Sequence, residues 1–359
     1  MRRDADIVVV GAGIVGVATA RALAGTPLSV LLLERFELGH VHGSSHGTSR
    51  IFRLNYGDER FVRLAQAAGD EWRSLERDRG VRLLQRVGVL DLGPQAAATA
   101  RALAACGVAY ETLSVAEVAE RWPLELDAGE SAVFQRDGGF LFADRAHATL
   151  LSVATAGGVE LRERSVVEAL EIGRGSVHVR LADGKVTAGA VVVTAGAWAP
   201  GLLATAGIDL AVVPTRETVV YLELPGAESL PPVIDYAGVP GPEEGGVVRA
   251  GNSSYALAAP GLGLKAGLHH SGPVADPDAG AAPDESVAGF VARWAARRYR
   301  GLGGALRTET CLYTNTADES FVLERHGRVV VGSACSGHGF KFAPVVGRTL
   351  AALAREAAG

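Results

Sequence analysis

The stretch Ile7-Val-Val-Val10-Gly11-Ala-Gly13-Ile-Val-Gly16, followed by Ser29-Val-Leu-Leu-Leu33-Glu34, decides the fold of this chain. Residues 7–10 form a short unbroken apolar run, as expected of a parallel strand buried on both faces. A glycine turn follows. Residues 15–24 then read as a helix ended by Gly25-Thr-Pro27, and residues 29–33 as a second buried strand closing with Glu34. One βαβ unit is thus complete, with an acid at the end of its second strand. Its glycines let backbone approach a pyrophosphate, whose charge the helix N-terminus favours. Glu34 would accept hydrogen bonds from an adenosine ribose and so disfavours a 2′-phosphate. The motif alone does not choose between FAD and NAD.

The rest of the chain must accommodate this unit. Its 359 residues suit two domains better than one core. A hydrophobic content of 48% against 21% charged residues describes an ordinary globular protein. A net charge of −5 points to neither a nucleic-acid partner nor an anionic membrane. Arg297-Arg298-Tyr-Arg300 is short enough to be one solvated helix face. Cys106, Cys311 and Cys335 are too few for a disulfide framework, which makes a reducing cytoplasm the expected compartment. Arg2-Arg3 could mimic a secretion signal, but Asp4, Asp6 and the glycine turn interrupt the apolar segment. No apolar run is long enough to span a membrane. With 46 glycines and one methionine, the composition suggests a high-GC bacterium.

Residues 39–49 turn to Gly, His, Ser and Thr, a functional loop. Phe61, Leu64, Ala65, Ala68, Trp72 and Leu75 keep helical spacing. Residues 87–92 read as a strand entering another region, with helices over 96–105 and 115–121. A helix over 146–156 returns the chain to the first domain, followed by strands near 159–164, 166–172 and 177–181. Val191-Val-Val193-Thr-Ala-Gly-Ala-Trp198 is a further buried strand running into a glycine turn. A strand-rich stretch begins at Thr218, interrupted by Pro231-Pro232 and a loop over 238–246, before a helix over 288–300. The end reads as strand, glycine-rich loop, helix. The expectation is an α/β protein of two interleaved domains: residues 1–80, 143–215 and 311–359 in one, 81–142 and 216–310 in the other.

Four further segments carry chemistry. Cys311 lies in Thr308-Glu-Thr-Cys311-Leu-Tyr313, and reads alone as a small buried residue at a strand start. A thiolate there could instead add to the 8α position of a flavin. Ser336-Gly-His-Gly339-Phe-Lys341-Phe precedes the last helix, whose positive dipole end suits charge building at flavin N1 and C2=O. Lys341, between Phe340 and Phe342, is expected to point at a pocket. In Gly43-Ser-Ser-His46-Gly-Thr-Ser-Arg50-Ile-Phe-Arg53 the arginines are three apart and would share a face on a helical turn. One could lie against a flavin while the other grips a substrate carboxylate. In Gly261-Leu-Gly-Leu-Lys265-Ala-Gly-Leu-His269 the spacing suggests an inward lysine, whose charge near flavin N5 would stabilise superoxide.

In order and approximate spacing, these segments resemble the monomeric sarcosine oxidase family over essentially the whole chain. The resemblance implies a Rossmann-like FAD-binding domain interleaved with a mixed-sheet substrate domain, in the two-domain architecture of D-amino-acid oxidase. It further implies FAD attached covalently through Cys311, with Arg53 and Lys341 binding the substrate carboxylate. His46 and Arg50 would contact the flavin, Lys265 would activate oxygen, and Tyr313 and His269 would line the substrate site, with Tyr255 as the further active-site tyrosine. The cofactor site would comprise Gly11, Gly13, Ile14, Val15, Gly16, Glu34, Arg35, Ser44, His46, Arg50, Ala195, Gly196, Trp198, Cys311, Gly337, Gly339, Phe340 and Lys341, with no metal ligand among them. The implied activity is oxidation of a carboxylate-bearing secondary amine to an imine with formation of hydrogen peroxide, by a monomer whose partners are the amino acid and O2. A dehydrogenase passing electrons to another carrier, or a tailoring oxidase of secondary metabolism, are the alternatives.

Overall fold

In the computed structural model, which describes residues 3–237 and 252–359, the opening strand spans Ala5–Val10. It runs parallel to Val30–Leu33 on one side and to Gly184–Val193 on the other. Glu160–Arg162 and Val329–Ser333 extend this parallel sheet at its two ends. The long strand Gly184–Val193 divides its outer edge. Its first half pairs antiparallel with Val177–Leu181, and its second half pairs parallel with Val329–Ser333. Ile7, Val8 and Val9 are fully buried because both faces of the sheet are covered. Helices Ile14–Leu23, Ala143–Ala156 and Ala343–Ala358 pack on one face. At Gly347 a β-carbon would lie 2.4 Å from the Ala18 carbonyl carbon, so glycine lets the last helix reach the first.

A second sheet of eight strands runs in the order Ala305–Asn315, Val213–Leu222, Gly263–Leu268, Ser254–Ala259, Val233–Asp235, Val89–Leu92, Ser131–Gln135 and Glu111–Ser114. Its pairs are antiparallel except Val233–Asp235 with Val89–Leu92. Helix Glu285–Arg298 packs on its apolar face through Phe290, Val291 and Trp294. A small sheet of Ser49–Phe52, Gly139–Phe142 and Leu84–Arg86 completes the architecture. The chain is α/β, as its sequence leads one to expect.

Several local expectations are corrected. Arg50 and Arg53 do not sit on a helical turn. Residues 49–52 are a strand paired with Gly139–Phe142, with Arg53 just past its end, so the two do not share a helical face. Cys311 is in the middle of its strand, not at its start, and that strand belongs to the second sheet along its whole length. The strand expected from Thr218 begins at Val213. Arg298 is not solvated. It is 6% exposed and held by Asp235 at 2.8 Å and Glu130 at 2.7 Å. The loop expected over 238–246 lies outside the described residues.

Candidate active site

A cavity of about 1010 Å³ runs from the glycine turn to the second sheet. At the turn, Gly11 adopts φ +98°, and a β-carbon there would meet the Thr194 carbonyl at 2.7 Å. Gly16 lies off the cavity wall. A β-carbon on it would come within 1.8 Å of Gly11 O, so its bareness closes the helix onto the turn. The other candidate residues all line the cavity. Thr194 Oγ1 donates to Val10 O and Gly11 O, tying the turn after Gly184–Val193 to the first. Helix Ile14–Leu23 has no acid in its first turn, and of its first amides Ile14 N donates to Ser45 Oγ at 3.0 Å, so its positive end still suits an anion.

Glu34 accepts from Ala12 N at 2.8 Å and from Phe36 N at 3.0 Å. Burial raises its pKa, but hydrogen bonds from His40, Phe36 and Ala12 hold it below the usual carboxylate value. It remains an anion beside the turn. Arg35 lies 4.9 Å from the Phe36 ring centre and 5.0 Å from that of Trp198, and pairs with Asp278 at 3.1 Å. Trp198 Nε1 donates to the same carboxylate at 2.8 Å.

Deeper in, Lys265 and Cys311 reach the wall from strands that flank Val213–Leu222. Arg50 donates to Ser44 O at 2.8 Å and to His46 O at 2.6 Å, and lies 5.6 Å from the Phe340 ring centre. Ser44 Oγ donates to Leu312 O, binding the loop to the strand of Cys311. Lys265 is 7% exposed. Burial, then the charge of Arg50, pushes it down to about 7. Burial pushes the Cys311 thiol up to about 11, with Lys265 and Arg50 opposing the rise. His46 is pushed down to about 4 by burial and then by Arg50 and Lys265, and stays neutral.

Beyond this point Arg53 Nη1 donates to Tyr236 Oη at 2.9 Å, with its guanidinium 4.3 Å from the Tyr56 ring centre. Burial works against its charge, but Tyr236, Tyr56 and the fully buried Asp91 outweigh it. Lys341 occupies the short 3-10 turn Gly339–Phe342. It is 4% exposed and donates to Tyr56 Oη at 3.0 Å and His338 O at 2.6 Å. Burial, then Arg53, lowers its pKa strongly. His269 Nδ1 lies 3.4 Å from Tyr313 Oη. Gly337 makes room for both: a β-carbon there would fall 2.3 Å from Tyr313 Cε2 and 2.4 Å from His269 Cε1. Gly267 does the same for Tyr255, whose hydroxyl would meet its β-carbon at 2.6 Å. Tyr56, Asp91 and Tyr236 were not expected from the sequence. Only Asp91, an acid inside the apolar strand Val89–Leu92, left a signal.

The donor set fits a dinucleotide carrying a redox ring. The turn and helix end suit phosphates, and Glu34 suits a ribose. Arg35 Nε, His46 Nε2 and Thr48 Oγ1 are buried on the cavity wall and have no hydrogen-bond partner among the described residues, which fits a polar ligand. Inward, Lys265, Arg50 and the thiol surround space for a flat ring, and Arg53 and Lys341 lie beyond.

The sequence pattern of the FAD dependent oxidoreductase family matches residues 6–353. The chain is 31% identical to the monomeric sarcosine oxidase of Arthrobacter sp. (strain TE1826), over 99% of this chain and 93% of that protein. It is 31% identical to the N-methyl-L-tryptophan oxidase of Yersinia pestis (strain Pestoides F), over 98% and 95% of the two chains. Among solved structures it is similar to the open form of the Tyr258Phe mutant of NikD, an unusual amino acid oxidase essential for nikkomycin biosynthesis. That match has a TM-score of 0.89 and 27% identity, covering 99% of this chain and 94% of the other.

Proposed function

This chain belongs to the FAD dependent oxidoreductase family, alongside the monomeric sarcosine oxidases, and on that premise we propose that it oxidises a carboxylate-bearing secondary amine, N-methylated or cyclic. The observation that carries this reading is the pairing of the half-buried Arg53 with the buried Lys341, two basic side chains that both line the cavity. FAD bound in this cavity supplies a two-electron acceptor for the hydrogen on the carbon next to nitrogen. Residues 1–80, 143–212 and 316–359 serve as the cofactor domain, and 81–142 and 213–315 as the substrate domain, since strands Val213–Leu222 and Ala305–Asn315 belong to the second sheet throughout. Gly11, Gly13, Ile14, Val15 and the Ala195–Gly196 turn hold the phosphate region, with Gly16 closing the helix behind them. Glu34 takes the ribose, and Arg35 with Trp198 lines the outer end. Ser44, His46, Arg50, Gly337, Gly339 and Phe340 border the ring, and Cys311 tethers it.

Arg53 and Lys341 bind the carboxylate and orient the amine. Tyr236 aims Arg53, and Tyr56 aims Lys341. A bound carboxylate favours the ammonium form of Lys341 that burial otherwise disfavours. His269 stays neutral, chiefly through burial and next through His270, so it can accept a hydrogen bond from the substrate amine as that amine loses its proton. Tyr313 and Tyr255 close the substrate side, excluding water. Lys265 places positive charge where oxygen is reduced to hydrogen peroxide. The enzyme acts as a monomer in a bacterial cytoplasm. Among the described residues no helix is long and apolar enough to cross a membrane.

The test is oxygen uptake with peroxide measured alongside. N-methyl and cyclic amino acids should yield one peroxide per amine oxidised, and their carboxylate-free analogues should react poorly. Turnover only with an added electron carrier would establish a dehydrogenase instead.

A further inference from the structure

At the rim of the cavity, His269, His270 and Glu319 bring one ligand atom each to within 4.8 Å of one another. His270 Nε2 and Glu319 Oε1 are 3.2 Å apart, and the His269 and His270 ring centres are 3.9 Å apart. Two observations set this cluster apart from an ordinary surface pair. First, among the described residues only four non-glycine residues have positive φ: Arg164, His270, Glu319 and Ser336. Two of the three cluster members, His270 at +57° and Glu319 at +61°, are among them. Such backbone is strained in an L residue and persists where the surroundings enforce it.

Second, the surroundings do enforce it. His269 N donates to Ser253 O at 2.9 Å. Directly after His270, Ser271 N and Gly272 N donate to Glu217 Oε2 at 3.0 and 2.8 Å. On the other loop, His338 Nε2 lies 3.1 Å from Glu319 O. The three side chains are therefore presented by braced loops and need little ordering to act together.

We propose that His269, His270 and Glu319 form a binding site for a borderline divalent cation of the zinc type, with one coordination position left open. Two imidazoles and one carboxylate suit zinc in tetrahedral geometry. Tetrahedral ligands at zinc bond lengths stand roughly 3.4 Å apart, which small side-chain rotations from the present spacing reach. Arg53 and Lys341 stand near His269 and oppose a cation, while the Glu319 carboxylate offsets part of that charge. Micromolar rather than tighter binding follows. Because His269 also lines the cavity, an ion bound here ties up an imidazole the substrate needs, so zinc inhibits turnover. That inhibition, unlike the binding, rests on the amine-oxidase reading.

The experiment is calorimetric titration of the flavin-loaded protein with zinc chloride, in a buffer that does not chelate. One ion should bind per chain at micromolar concentration. His270→Ala and Glu319→Gln should each weaken binding about 10-fold or more, and Glu319→Gln, which touches neither substrate nor flavin, should leave turnover without zinc and the flavin content unchanged. Zinc should slow the unmodified enzyme and spare both variants. Failure to bind below millimolar zinc, or equal affinity in the unmodified protein and both variants, overturns the proposal. Binding is read without any amine, so a wrong substrate assignment leaves the calorimetric result intact.

Discussion

Replacing Lys341 with methionine isolates the carboxylate-binding claim. Methionine keeps the length and the burial of the side chain but removes its charge. The backbone is held independently, since Trp72 Nε1 donates to Lys341 O at 2.8 Å, so the fold and the flavin content should survive. A charge-assisted hydrogen bond lost from a buried site costs about 2–5 kcal/mol. Two features place this case at the lower end. Arg53 remains to share the carboxylate, and part of the lysine's binding energy goes into charging a group whose pKa burial has lowered. About 2–3 kcal/mol remains, equivalent to about 30- to 140-fold in kcat/KM. The loss should fall mainly on KM, because the carboxylate is held alike in ground and transition states. In the unmodified enzyme KM should also rise as pH rises and Lys341 loses its proton, a component absent from the variant. The assay is steady-state oxygen uptake, normalised to flavin, with an amino acid and its carboxylate-free N-methyl analogue. An equal loss on both substrates, or no loss on the amino acid, refutes the reasoning.

Lys265→Met should slow flavin reoxidation by O2 far more than anaerobic reduction, read by stopped flow. In the unmodified protein that reoxidation should slow as pH rises above about 7, where Lys265 loses its charge, and this dependence should vanish in the variant. A stability test uses flavin-free protein. Between about 7 and the ordinary lysine value the unfolded chain binds the extra proton at Lys265, so stability should rise with pH across that window. A thermal melt series in which Lys265→Met shows the same slope would count against the burial argument. Cys311→Ala should release its flavin into the supernatant on acid precipitation, while the unmodified polypeptide stays yellow. Gly337→Ala should lower kcat/KM at least about 10-fold, because its β-carbon displaces Tyr313 and His269; unchanged kinetics would show those rings to be dispensable.

What the sequence revealed and what it hid divide along contact distance. The βαβ unit was legible because its requirements are local: apolar residues 7–10, bare positions at 11, 13 and 16, an acid at 34. The thiol, the late lysine and Lys265 could be singled out because each sits in a distinctive segment, and all three line the cavity. The arginine pair was misread because nothing within residues 43–53 announces a strand. Its partner Gly139–Phe142 lies about ninety residues away, and that pairing makes residues 49–52 a strand, with Arg53 just past its end. For the same reason Tyr236 and Tyr56 stayed hidden, since their part is defined only by the cations they meet. Arg298 was misjudged because a basic run looks solvated until Asp235 and Glu130 arrive from other elements.

The central claim is that one cavity presents an amino acid, held by Arg53 and Lys341, to a flavin beside Cys311 and Lys265. Anaerobic titration of the purified flavoprotein with a panel of secondary amino acids tests it most directly. At least one N-methyl or cyclic amino acid should bleach the flavin stoichiometrically, with peroxide released when air is admitted. A flavin that none of them bleaches, or that carboxylate-free amines bleach equally well, would contradict it.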